Sequence, residues 1–271
     1  MRGFTSLFDS YVKYNFHVGL AVWSLTKITA LDFQINLDFS YQLIFFIIPF
    51  LGYNFIKFHL FFLNYDGIRP FRINFFIVFI FLCLFLLGFV LFYLSLFSQL
   101  LFFLTLFLVL LYCLPLPFLK INLRGFKGLK IHLVALSWVF ITVFLPLSLE
   151  GKPIKYISLV YGLQRYFFVI AATLPFEIRD LKLDHPNLST WPQRWGVKNT
   201  KALGFILLIF FVFLELWFRL NSDLQITIFT IILLMIFILI SKEEQSKYFS
   251  SFWVEGIPIL WLILKYVTIN L

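Results

Sequence analysis

Charge is scarce in this sequence: 13% of its 271 residues are Asp, Glu, Lys or Arg, against 62% apolar residues. The mean hydropathy is +0.96, and no single soluble core could take up so much apolar side chain, so the chain is read as a bilayer protein. Cysteine is almost absent. Cys83 and Cys113 both fall within apolar runs, which excludes a disulfide framework and a thiolate metal cluster and leaves them as core residues. No short apolar segment followed by small residues marks a cleavage site near the start, so residues 1–14, with Arg2 and Lys13, read as a retained basic tail.

What is present in abundance is apolar sequence of membrane-crossing length. A first span, weakened by Ser24, Thr26 and Lys27, covers 16–31, and its polar face is expected to point into the protein. Further spans are predicted at 41–58, 73–95, 99–116, 129–149, 154–176, 201–220, 226–240 and 250–269. The expectation is one all-α domain over residues 1–271, a polytopic bundle of about nine transmembrane helices.

Cations alternate between the loops. Lys57/Arg69/Arg72, Lys120/Arg124/Lys127/Lys130, Arg179/Lys182/Arg194/Lys198/Lys201 and Lys242/Lys247 mark every second connection, and the connections between them hold few cations. The positive-inside rule then puts the N-terminus and the basic loops in the cytoplasm and the C-terminus outside, with a bacterial cytoplasmic membrane as the expected setting. The net charge of +9 is mostly this topology signal, with some attraction for anionic membrane lipids; no nucleic-acid partner is implied.

Ionisable residues are packed most closely in Glu177-Ile-Arg-Asp-Leu-Lys-Leu-Asp184. If the preceding helix continues through it, Glu177, Asp180 and Asp184 share one face. Carboxylates so placed, flanked by Arg179 and Lys182, offer hard oxygens for Mg²⁺ and cations for phosphate; a solvated membrane-edge loop of mutually neutralised charges is the alternative. Two earlier loops open on the same predicted side. One carries Tyr53-Asn54-Phe-Ile-Lys57 and then Asp66-Gly67-Ile-Arg69-Pro70, the other Pro117-Phe-Leu-Lys120 and Arg124 through Lys130. Arg165 lies inside the span before Asp180, and with Tyr166 and Thr173 it makes one side of that helix polar. That stripe leads to Glu177 and is read either as a cavity wall or as a buried structural arginine.

The pattern Arg179-Asp180-Leu-Lys-Leu-Asp184, followed by Thr190 and Gly196, resembles the second aspartate motif of the UbiA superfamily of intramembrane prenyltransferases. Pro117-Phe-Leu-Lys120 is similar to that family's Pro-x-x-Lys segment, and Arg69-Pro70 to the Arg-Pro following its first aspartate motif. That first motif, Asn-Asp-x-x-x-Asp, is reduced here to Asn54, with apolar residues and Lys57 in place of the acids. The resemblance implies transfer of an isoprenoid chain from a prenyl diphosphate to an aromatic or other lipophilic acceptor, as in quinone or related lipid biosynthesis. It implies Mg²⁺ on Asp180 and Asp184 as catalytic residues, and diphosphate contacts from Lys120, Arg69, Arg124, Arg179, Asn54 and Lys57. A catalytically inert scaffold that kept the fold, or a small transporter using a cavity at Arg165, are the alternatives.

Overall fold

Backbone polar groups in lipid must be satisfied within the chain, and an apolar run achieves this as a helix. The computed structural model describes residues 2–63, 71–113, 128–220 and 223–269, and among the described residues there is no strand. In chain order come α1 (Arg2–Lys13), α2 (Phe16–Asp32), α3 (Phe39–Leu63), α4 (Phe71–Phe92) and α5 (Leu96–Cys113). After them α6 (Leu129–Val139) runs through a π-helical turn, Phe140–Phe144, into α7 (Leu145–Leu149) as one pass. The remainder is α8 (Tyr156–Arg179), α9 (Trp191–Phe218), α10 (Leu224–Ile240) and a second π turn, Phe249–Val254, leading into α11 (Ile257–Ile269).

Five of these units are long and apolar enough to cross a membrane: Phe39–Lys57, Leu129–Leu149, Tyr156–Lys182, Trp191–Phe218 and Phe249–Ile269. The shorter apolar stretches Ile80–Phe92, Leu96–Tyr112 and Leu224–Ile240 and the enclosed α2 complete the set of nine expected spans among the described residues. The chain is an integral, multi-pass helical protein. The basic stretch before the first span forms α1, which docks on the last span: Phe8 lies edge-on to Phe252, and Asp9 accepts a hydrogen bond from Tyr248.

The polar first span is placed where its composition requires. Ser24, Thr26 and Thr29 are fully buried, and each hydroxyl donates to a carbonyl one turn earlier in α2. Lipid instead meets α9 and α10, whose exposed residues recur at helical spacing, as in Ile206, Ile209, Phe210, Phe213 and Trp217. α8 runs through the core against α6, α9 and α10. Its contact with α9 is close enough that a Cβ on Gly204 would lie 2.6 Å from Leu174 Cδ1.

All helices that reach the acidic segment do so at one end of the bundle. The opposite half holds a second set of charges. Lys265 on α11 donates to Asp32 at 2.5 Å with both side chains fully buried, and Asp32 also accepts from Tyr161 at 2.8 Å. Tyr161 accepts from Arg165 at 2.9 Å, Arg165 reaches Thr29 at 3.3 Å, and the guanidinium lies over the rings of Tyr161 and Trp261. Arg165 is thereby sheltered from lipid.

Candidate functional site

α8 stops at Arg179 and tightens into a 3₁₀ turn over Asp180–Lys182, so the continuous helix that would align Glu177, Asp180 and Asp184 on one face does not form. The Asp184 N–H closes the turn on the Asp180 carbonyl at 2.8 Å, and Pro186 prevents the helix from resuming directly. The carboxylates therefore divide. Asp180 is forked by Arg179, with Nε to Oδ1 at 2.7 Å and Nη2 to Oδ2 at 3.0 Å, while Arg179 Nη1 donates to Ser250 and Ser251 at 3.1 Å each. Glu177 and Asp184 converge instead on Lys130 Nζ, at 2.9 and 2.8 Å. Gln193, at the start of α9, donates to the Asp184 backbone carbonyl at 3.0 Å and accepts from the Thr190 N–H at the same distance, which joins the acidic turn to the next helix.

Above this turn lies a cavity of about 960 Å³. Its walls carry Asp180, Arg179 and Lys182, Lys13 and Asp9 from α1, Lys57 from α3, and Glu255. A chamber of about 180 Å³ shares the Tyr53, Phe176, Asp180 and Glu255 walls with it and adds Lys130, Thr173 and Glu177. Beyond the chamber, an apolar pocket of about 100 Å³ lies among α3, α5 and α6 and shares Tyr53, Val134 and Trp138 with the chamber. Charge gives way to hydrocarbon from the mouth to this pocket. The mouth takes its shape partly from α1, where the Tyr11 hydroxyl meets His17 Nδ1 at 2.8 Å and His17 Nε2 donates to the Phe252 carbonyl at 2.9 Å. Burial, with the Glu255 carboxylate adding to it, holds the Tyr11 phenol above its ordinary pKa.

No protein-family model and no curated protein matches this sequence. Among solved structures, a UbiA homolog from Archaeoglobus fulgidus bound to Cd²⁺ superposes with a TM-score of 0.62 at 16% identity, over 96% of this chain and 100% of the other. A second structure of a UbiA homolog from Archaeoglobus fulgidus gives 0.59 at 14% identity, over 94% and 97%. The chain adopts a UbiA-like fold.

Within the UbiA-like bundle, the residues singled out from sequence are distributed unevenly. Asp180, Arg179 and Lys57 line the large cavity, and Thr173 and Glu177 the chamber. Arg69, Lys120 and Arg124 lie outside the described residues, as do Asp66 and Pro117. Asp184 is turned to Lys130 instead of forming cavity wall with Asp180. Asn54 does not read as a diphosphate ligand here. Its two amide hydrogens go to the Tyr14 and Phe50 carbonyls at 2.8 and 2.7 Å, and its oxygen accepts from Asn15 at 3.0 Å, so the buried side chain clamps the α1–α2 turn to α3. The polar stripe on α8 also divides: Arg165 joins the Asp32 network, and Tyr166 bonds His132 at 2.5 Å away from the chamber walls.

Glu255 and Lys130 are the site residues that sequence reasoning missed or left among loop cations. The π turn Phe249–Val254 widens the helix just before Glu255, whose N–H reaches back to the Ser250 carbonyl at 3.1 Å. A carboxylate inside an apolar span is itself a signal, by the same logic that picked out Arg165.

Among the described residues no group of three or more His, Cys, Asp or Glu side chains could hold a metal ion. The described residues therefore do not form an all-protein cage by themselves. Mg²⁺ commonly binds through one or two carboxylates, with substrate phosphates and water completing its shell. Asp180 on the wall of both the cavity and the chamber, with Glu255 beside the same spaces, offers carboxylate oxygens suited to a divalent ion that brings its other ligands with it.

Proposed function

We propose that this protein is a membrane prenyltransferase that binds a magnesium prenyl diphosphate at the charged mouth and carries its chain in the apolar interior toward a lipophilic acceptor. The observation that carries this reading is the pair of adjoining cavities, with Asp180, Arg179 and Lys57 at the charged mouth and Ile131, Phe168, Val169 and Trp138 in the apolar wall of the chamber. Bound magnesium would supply charge neutralisation for a departing diphosphate. The chain's own residues do the rest: Lys57 and Lys13 present cations to the mouth, Arg179 is oriented by Ser250 and Ser251, and Phe176 and Trp138 wall the chamber with aromatic faces suited to an allylic cation. Quinone or related lipid synthesis is the proposed setting.

Purified protein titrated with prenyl diphosphates and Mg²⁺ is expected to bind them and, with membrane lipid extract as acceptor source, to release diphosphate. Absence of binding under these conditions refutes the reading. A second reading, an inert protein that holds the ligand without turning it over, is favoured by the commitment of Asn54 to backbone and of Asp184 to Lys130. Binding without release, across a panel of aromatic acceptors, selects it.

We also propose that the acidic end faces the cytoplasm, from the concentration of Lys13, Lys57, Lys130, Lys182 and Lys247 there. Single cysteines at Ser189 are expected to resist a membrane-impermeant thiol reagent in intact cells and react after permeabilisation. Labelling before permeabilisation would reverse the topology.

A further inference from the structure

Between the chamber and the apolar pocket stand two aromatic side chains that belong to both. Tyr53 comes from α3 and Trp138 from α6, and Trp138 Nε1 donates to the Tyr53 hydroxyl at 3.0 Å. Half-buried Tyr and Trp side chains favour a partner for their polar atoms, and here they supply one another across the gap between the helices. Separating them would cost each its partner, so the pair holds its place. Val134, one turn before Trp138 on α6, continues the same shared wall. Beyond the wall, the pocket is lined by Ile48, Pro49, Gly52, Val109 and Tyr112, a surface suited to hydrocarbon.

We infer that the Tyr53–Trp138 pair is a partition that sets the length of isoprenoid chain the protein accepts, by closing the chamber of about 180 Å³ against the pocket of about 100 Å³ behind it. The inference rests on the prenyl diphosphate reading of the site. A short chain ends against the indole; a longer one must displace it or leave isoprene units exposed. The preference is therefore for short chains, and the inner pocket is reserve volume that the wild-type protein does not use.

The test is a titration of the full-length protein, in detergent with Mg²⁺, against geranyl, farnesyl and geranylgeranyl diphosphate, with inorganic pyrophosphate as competitor. Trp138→Ala is expected to improve geranylgeranyl relative to geranyl binding about tenfold, the change that roughly 1.4 kcal/mol of added apolar contact produces. Gly52→Leu fills the inner pocket, and it tolerates a side chain, since a Cβ there has Val109 as its nearest neighbour at 4.0 Å. Alone it is expected to leave all three affinities unchanged, and combined with Trp138→Ala to cancel the gain.

An unchanged ranking in Trp138→Ala overturns the partition. So does loss of geranylgeranyl binding in Gly52→Leu alone, which would show that chains already pass the pair, and this second variant decides the matter even if Trp138→Ala does not fold. If pyrophosphate and every prenyl diphosphate fail to bind the wild-type protein, the reading of the site itself has failed and the partition falls with it. Binding with an insensitive ranking removes the partition alone.

Discussion

Asp180→Asn is expected to remove the magnesium-dependent part of prenyl diphosphate binding, weakening it on the order of a hundredfold, roughly 3 kcal/mol, while the melting temperature barely moves. Two effects compete in this substitution. Loss of the carboxylate removes the oxygen best placed to share a metal with a diphosphate, but it also frees Arg179, a cation on the same wall. Metal dependence separates them. Arg179 remains anchored by Ser250 and Ser251, so binding of pyrophosphate without Mg²⁺ should persist or strengthen in the variant. The fold should hold, because the Arg179 and Asp180 side chains are about a quarter exposed and such a pair contributes about 1 kcal/mol or less. Asp184→Asn should act differently, disturbing the Lys130 bridge to Glu177 and lowering affinity about tenfold through displacement of the acidic turn. Titrations at zero and saturating Mg²⁺ provide the comparison, and an unaltered magnesium dependence in Asp180→Asn sinks the metal role assigned to this residue.

The largest loss of stability is expected from Asp32→Asn, at the other end of the bundle. Lys265 and Asp32 are in direct contact with no side-chain exposure, and removing one partner of a buried pair costs about 3–5 kcal/mol because the remaining charge is left uncompensated. Lys265→Met should cost a similar amount. The double variant Asp32→Asn, Lys265→Met should be distinctly more stable than either single variant, since it leaves neither charge behind. Thermal unfolding in detergent measures all three. If the single variants melt with the wild-type protein, or the double is worse than both, Asp32 and Lys265 do not act as a pair. Prenyl diphosphate binding at the far end should survive in whatever fraction remains folded.

Membrane passes were legible in the sequence because lipid imposes a local rule: apolar runs of sufficient length must be helical, and the predicted spans find their helices one for one among the described residues. The segment around Asp180 stood out in the sequence for a similar local reason, since charge density changes abruptly there. Its internal geometry was not legible. Whether a helix continues past Arg179 depends on a turn closed by Asp184 and limited by Pro186, and the partners of the carboxylates come from residues far away in the chain, Lys130 and Ser250. Arg165 shows the converse. Its place inside an apolar span left two readings open, a cavity wall or a buried structural arginine, and its partners Tyr161 and Thr29 are those of the second. The pairing of Asp32 with Lys265 was not legible, because a buried contact between two spans far apart in the chain leaves no mark in either segment alone.

The docking of α1 bears on the order in which the protein is assembled. α1 is synthesised well before residues that hold it, Tyr248 and Phe252 at the start of the α11 pass; the Asp9–Tyr248 bond spans 239 positions. Until translation reaches that pass, α1 has only its contacts with α2 and α3, and the mouth lacks the Ser251 and Glu255 side of its wall. A nascent chain in the membrane therefore cannot complete this mouth before the α11 pass has been made.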